Sequence, residues 1–236
     1  MAADLLVDVL NAARAHRSCP AITDRRTTIT YGQLLASVLG TAQRLRDNGF
    51  QAGSRMLFSI RPGVRAVVLA LGTVAAGGTV VPFQPDGDPE MFESRLDLVK
   101  PTWAAAESIV YATGVPGVRS FARRPGIPSY RKLDVRHIRS GPWLPGVPRG
   151  ALSAAKLAEP VRFNEFPACS PNQAAVVTFA TGTTVEHTRG ALGTVLRTLA
   201  RRGSLGTGDQ VRTEHLRLGL PALLTGAQWT IGATER

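Results

Sequence analysis

An α/β domain, layered around a mainly parallel sheet with helices on its faces, is the fold that three observations predict. Residues 54–82 read as strand, helix, strand; apolar stripes at helical spacing precede them; and a buried strand pattern followed by a helical one returns at residues 173–202. A strand–helix–strand unit of about thirty residues joins parallel neighbours through a right-handed crossover.

In order along the chain, Leu5, Leu6, Val9, Leu10 and Ala13 recur at helical spacing and predict a helix over 3–16 with one buried stripe. Pro20 to Asp24 and Thr27 to Thr30 are short β-branched runs around Arg25 and Arg26, the pattern of a small hairpin. Thr30 stands where a helix cap belongs, with Gln33 at the capping-box position. The helix it opens carries Leu34, Leu35, Val38, Ala42 and Leu45, and Asn48-Gly49 stops it. Ser54 to Ile60 is the first strand of the crossover unit, Pro62-Gly63 opens an Ala-rich helix to Ala76, and Thr79 to Pro82 is the second strand. Residues 88–99 suggest a helix stopped by Pro101, and Trp103 to Ala106 a short strand. From Gly114 to Pro171 the pattern is lost: prolines from Pro116 to Pro167 interrupt every period, and loop with short strands at most is expected. Gln173 to Phe179 is a strand again, followed by a Thr/Gly loop, a helix over 189–202, a strand near Gln210 to Thr213 and an apolar helix around Leu218 to Thr225. The chain thus divides into a first α/β part (1–113), a Pro-rich irregular segment (114–171) and a part built around the Thr/Gly loop (172–236).

Composition removes several functions. Hydrophobic residues make up 44% and charged residues 19%, enough apolar material for a core. The net charge of +11 is nearly all arginine, since Lys100, Lys132 and Lys156 are the only lysines. Those arginines are scattered, the longest runs are pairs such as Arg201-Arg202, and no aromatic-interleaved basic stripe accompanies them, which argues against a nucleic-acid binder. Cys19 and Cys169 are far apart with no histidine cluster, which argues against zinc or a disulfide framework and for a reducing compartment. The N-terminal stretch carries Asp4 and Asp8 and reads as an amphipathic helix rather than a signal peptide, and no apolar run reaches membrane-spanning length. A cytoplasmic protein is expected.

The sharpest local motif is Thr178-Phe179-Ala180-Thr181-Gly182-Thr183-Thr184, a buried strand running into hydroxyl residues around one glycine. Glycine permits positive φ and close approach, and hydroxyls with backbone N–H groups can then converge on phosphate oxygens. By itself a Thr/Gly turn after a strand is usually no more than a turn. His187 reads as a solvated loop histidine, His16 and His137 as surface residues, and nothing around Cys169 or Ser170 makes either a nucleophile.

Pro20-Ala21-Ile22-Thr23-Asp24 with Ile29-Thr30-Tyr31-Gly32-Gln33-Leu34, the run Val64 to Pro82, the Thr178–Thr184 motif, His187 to Leu192 and Gly219 to Ala227 form an ordered set. In that order they resemble the adenylate-forming family of acyl-CoA synthetases, the AMP-forming ligases of fatty-acid–CoA ligase type, over nearly the whole chain outside the Pro-rich middle. The resemblance implies the N-terminal part of such an enzyme. Thr181, Gly182, Thr183 and Thr184 would then touch ATP phosphates, with magnesium and coenzyme A as further cofactors and a fatty acid or other carboxylate as substrate. The carboxylate would attack the α-phosphate of ATP, pyrophosphate would leave, and coenzyme A would take the acyl group. The family's loop continues with glycine, a variable residue, proline, lysine and glycine; here Thr184 is followed at once by Val185-Glu186-His187. His215, beside Glu214, stands where the family often has residues near the acyl site. No catalytic residue and no metal ligand is assigned. The expectation is an incomplete ligase without turnover of its own, working with a complementing chain or serving as a non-catalytic interaction module. A truncated core would leave the Leu218–Trp229 face bare and Trp229 exposed.

Overall fold

The computed structural model describes residues 2–84, 89–113, 130–161, 167–180 and 182–232. Asp4 opens the first helix, α1 (Leu5–Ala15), by accepting the amides of Leu6 and Val7, and its stripe of Leu6, Val9, Leu10 and Ala13 is fully buried. β1 (Pro20–Thr23) and β2 (Thr28–Thr30) form the expected antiparallel hairpin. Its tip is fixed by Asp24, whose carboxylate accepts the amides of Arg26, Thr27 and, across the fold, Val64. Thr30 and Gln33 close a capping box on α2 (Tyr31–Asp47).

The crossover unit is β3 (Arg55–Ser59), α3 (Val64–Ala75) and β4 (Thr79–Pro82), with β3 and β4 parallel. α2 and α3 approach so closely that a Cβ on Gly72 would lie 2.4 Å from Thr41 Cγ2, so only glycine fits there. α4 (Pro89–Val99) then carries the chain back to β5 (Trp103–Glu107), on the other side of β3, and α5 (Ser108–Ala112) follows. The Pro-rich segment holds more order than its sequence suggests. Within its described part a 3-10 turn (Tyr130–Lys132), β6 (Arg136–Ser140), β7 (Leu152–Ser153) and α6 (Ala154–Leu157) extend the sheet; residues 114–129 and 162–166 lie outside the described residues. β6 escaped the reading because Ile138 is its one buried residue, so no alternation shows.

β8 (Ala174–Ala180) lies parallel to β4, and β9 (Thr183–Thr188) returns antiparallel to β8. The first sheet is therefore β7-β6-β5-β3-β4-β8-β9. The period of two divides its side chains between two cores: Met56, Phe58, Trp103 and Ala105 face α1, α2 and α3, whereas Leu57, Ala104, Ala106 and Val177 face Phe92, Tyr111 and Tyr130. Helices on both faces of a parallel sheet are what the sequence predicted.

α7 (Arg189–Arg202) leads to β10 (Gln210–Arg212), the short α8 (Leu216–Gly219), a 3-10 turn (Leu220–Leu224) and β11 (Gln228–Thr230). A second, four-stranded sheet has the order β10-β11-β1-β2. Two expectations fail here. The apolar run is not one helix, and Trp229 is not exposed: β11 pairs in parallel with both β1 and β10, and Trp229 is fully buried with Nε1 donating to the Thr213 carbonyl at 3.0 Å. The run that seemed to need an external partner is covered by the chain's own N-terminal hairpin.

Tyr31 ties the two ends together. Its buried hydroxyl lies 2.7 Å from the Ala227 carbonyl and 3.1 Å from that of Ala222. Tyr31→Phe removes the donor to the Ala227 carbonyl, whereas the Ala222 carbonyl keeps the Thr225 amide and hydroxyl, so the substitution is expected to cost about 1–3 kcal/mol. Urea unfolding checks this as a lowered midpoint at unchanged slope.

Candidate functional site

Ligands of open α/β sheets bind outside the carboxyl ends of the strands, where the loops diverge. In this sheet β3, β4, β5, β6 and β8 are parallel and end near one edge at Ser59, Pro82, Glu107, Ser140 and Ala180. The Thr/Gly motif occupies the β8 end of that edge. β8 is covered on both faces, Val176 packing against one core and the adjacent Val177 buried in the other, and Ala180 emerges exposed at its end.

The motif is not an extended loop. Ala180 pairs with Thr183, Phe179 with Thr184 and Thr178 with Val185, so strand pairing runs through the residues expected to embrace phosphates. Thr183 is exposed and Thr184 half-buried, both on β9. Gly182 has φ +70°, a conformation glycine adopts without strain, and a Cβ there would meet nothing within 4 Å. Thr181 lies outside the described residues. The physical reason for the tight hairpin is the short run between two β-forming segments: with no further glycine, proline or lysine after Thr184, nothing breaks the β period.

His187 is a strand residue rather than a solvated loop residue: it is half-buried on β9, its Nε2 2.9 Å from Thr178 Oγ1. Beside it, Glu186 is paired with Arg55 at 2.6 Å; both are well exposed, so the pair is worth under about 1 kcal/mol. Arg95 of α4 sits over the rings of Phe83 and Phe179 at 5.6 and 5.1 Å, which packs the hairpin onto α4. No lysine lies on β8 or β9.

The crevice between β3 and β5, where crossovers leave in opposite directions, is spanned by Arg61, whose Nε donates to both Glu107 oxygens at 2.8 and 3.0 Å. Below it Ser59 Oγ donates to the Phe83 carbonyl at 2.6 Å and meets the Tyr130 hydroxyl. His137 is not a surface residue: burial pushes its imidazole below the ordinary value, against the opposing bond from Nε2 to the Leu133 carbonyl, and Nδ1 is buried with no partner among the described residues. His215 is exposed, and His16 is half-buried at the end of α1. A cleft of about 490 Å³ lies elsewhere, between α1, α7 and the 220–224 turn, and contains no hairpin residue; its Asp8 and Arg197 satisfy one another. Among the described residues no group of three or more His, Cys, Asp or Glu could hold a metal ion, and no helix is long and apolar enough to cross a membrane.

Two residues of structural weight escaped the sequence reading. Asp4 and Arg189 form a buried ion pair at 2.9 Å, and Arg189 follows Thr188, which caps α7 by accepting the Ala191 amide. Asp4 directly before an apolar stripe is a visible cap signal; its partner 185 positions away is not. Asp24 likewise joins two elements, and although its burial raises the carboxyl's pKa, the bonds from Val64, Arg26 and Thr27 hold it below the ordinary range.

Doubly wound helices on a mainly parallel sheet, with a Thr/Gly turn at its carboxyl edge, define the N-terminal subdomain architecture of adenylate-forming enzymes. The chain belongs to the AMP-binding enzyme family, whose sequence model matches residues 9–187. It is 38% identical over 73 residues to syringomycin synthase SyrB1 of Pseudomonas syringae pv. syringae, covering 31% of this chain and 12% of that protein. The acetoacetyl-CoA synthetase of Streptomyces lividans shares the fold with a TM-score of 0.74 at 22% identity, over 96% of this chain and 38% of its own. A long-chain-fatty-acid-CoA ligase from Archaeoglobus fulgidus does so with a TM-score of 0.74 at 15% identity, over 96% and 46%. The chain spans less than half the length of each of these three proteins.

Proposed function

We propose that this chain is a carboxylate-activating ligase module of fatty-acid–CoA ligase type whose phosphate turn is too short to complete adenylation alone. The observation that carries this reading is the pairing of Ala180 with Thr183. Adenylation places the carboxylate in line with the α-phosphorus of ATP while negative charge grows on the departing pyrophosphate. That charge is met by preorganised donors and cations. Here the turn can present the Thr183 hydroxyl and the open backbone at Gly182, with Thr181 a further hydroxyl by sequence. Thr184 is drawn into the ladder beside Phe179. The family implies magnesium, but the described residues do not fit it: Glu186, the carboxylate nearest the turn in sequence, is taken by Arg55. No step is therefore assigned to the metal. Coenzyme A and the acyl chain are assigned no residue among those described, and the cytoplasm is where we place the protein.

A second reading, a non-catalytic interaction module of the same fold, draws on the same closed hairpin. Nucleic-acid binding has less support, because it rests on the net charge of +11 alone.

The test is pyrophosphate release by the purified chain across short to long fatty acids, together with calorimetric titration of Mg-ATP. No release above the no-enzyme control and no micromolar binding are expected, since several transition-state donors that act together are lost at once. Release well above control that falls with Thr183→Ala would sink the proposal. Saturable ATP binding weaker than micromolar, without release, would favour the ligase module, and no binding at all the interaction module.

A further inference from the structure

Free strand edges bond to other strands, and natural sheets guard them by keeping them short or by placing lysine, proline or a bulge on them. Three of the four edge strands among the described residues follow that rule: β7 has two residues, β2 and β10 three each. β9, which ends the seven-stranded sheet, has six. Its sequence, Thr183-Thr184-Val185-Glu186-His187-Thr188, is mostly β-branched and holds neither proline nor lysine. The register irregularity opposite it lies at the far end, between Ala174 and Val176 of β8. Its two titratable side chains are already engaged, Glu186 by Arg55 and His187 by Thr178. Val185, directly before them, is 42% exposed.

The ladder decides which backbone groups are free. Ala180 and Thr183 are separated by two residues, so they close the hairpin as a hydrogen-bonded pair. Along β9 the N–H and C=O of Thr183, Val185 and His187 then point at β8, and those of Thr184 and Glu186 point outward. Neither of those outward residues makes a backbone hydrogen bond beyond the ladder among the described residues.

We propose that β9 is a homodimer edge: it pairs antiparallel with β9 of a second copy about a two-fold axis through Val185. In that register Thr184 of each copy exchanges N–H and C=O with Glu186 of the other, Val185 meets Val185 as the close non-hydrogen-bonded pair, and Thr183 faces His187. No like charges are opposed. The register centred one residue on uses the same outward groups but sets Glu186 against Glu186, which like-charge repulsion disfavours. An edge whose free donors and acceptors and apolar centre complement themselves, with no like charges opposed, fits a second copy. Because each copy carries a net charge of +11, association strengthens as salt screens the repulsion.

The full chain is examined by sedimentation at ~50 μM, in low salt and at ~0.5 M salt, a range over which screening lengths fall several-fold. The expected result is the mass of two chains, more so at high salt, and a monomer for Val185→Lys, which puts two ammonium groups face to face. A covalent trap gives a second reading that does not depend on that variant folding. In a Cys19→Ser, Cys169→Ser background, Val185→Cys is expected to form an inter-chain disulfide on mild oxidation. The Cα atoms of a close antiparallel pair lie about 4.5 Å apart, within disulfide reach. Val195→Cys, exposed on α7, is the control that should not cross-link. A wild-type monomer at high salt, a dimer that survives Val185→Lys, equal cross-linking at both positions, or an edge held by a different protein would each overturn the proposal. None of these outcomes bears on ATP binding, so this inference and the ligase reading fail separately.

Discussion

Arg189→Met is expected to destabilise the protein by about 3–5 kcal/mol, the usual cost of leaving one half of a buried ion pair unpaired. Arg189 is almost fully buried and uses its whole guanidinium. Nε donates to Asp4 Oδ1 at 2.9 Å, Nη2 lies 2.9 Å from Asp4 Oδ2 and donates to the Ala168 carbonyl, and Nη1 donates to Gln173 Oε1 at 3.0 Å. Asp4 meanwhile caps α1 and accepts the Ser170 amide. One pair thus fastens the starts of α1 and α7 and the segment leading into β8. Burial raises the pKa of the Asp4 carboxyl, but the bonds from Ser170, Val7 and Arg189 outweigh it and hold the group below its ordinary value. The sign follows from that depression. The unfolded chain takes up the proton first, so the stabilisation is complete above about pH 4 and is lost as pH falls through the folded value. Urea midpoints measured from pH 7 down to pH 3 should fall more steeply for the wild type than for Asp4→Asn, which keeps a cap oxygen but has no carboxylate to protonate. Equal slopes would remove the pair from its assigned role.

Trp229→Ala should cost a similar amount, about 3–5 kcal/mol, because it empties a large buried volume that the neighbouring elements cannot fill. The indole sits on β11 between β1 and β10 and donates to the Thr213 carbonyl, and a Cβ on Gly219 would lie 1.9 Å from its ring. Gly219→Ala therefore attacks the same packing from the other side, and the two losses should not add. Thermal unfolding of the single and double variants measures both points. If Trp229→Ala left the melting temperature within a degree or two of wild type, β11 would not be the strand that closes the second sheet.

Legibility in the sequence followed the range of the forces involved. α1, α2 and the hairpin before α2 could be read because a helical stripe, a capping box and two β-branched runs are local patterns. β3, α3 and β4 were equally plain: strands buried on both faces are continuous apolar runs, and a short crossover allows few arrangements. The family resemblance rested on the hairpin and crossover unit together with the Thr178–Thr184, His187–Leu192 and Gly219–Ala227 segments, and membership of the AMP-binding enzyme family was upheld; the Thr/Gly motif, in contrast, is a paired turn rather than a loop. Composition says that such residues can form a turn, but only pairing of β8 with β9 decides that the ladder continues through Thr183 and Thr184.

What the sequence determined by itself, then, is the α/β layering and the order of its parts, because periodicity and capping act within a few turns of the chain. Tertiary structure alone decided the rest. Arg136–Ser140 became a strand because β5 offered it an edge, although only Ile138 is buried. Trp229 became core because the N-terminal hairpin, some two hundred residues earlier, covers it. Arg189 became buried because Asp4 neutralises it across nearly the whole chain. Each outcome depends on a partner distant in sequence, and such a partner leaves no period, cap or turn signal at the residue it controls.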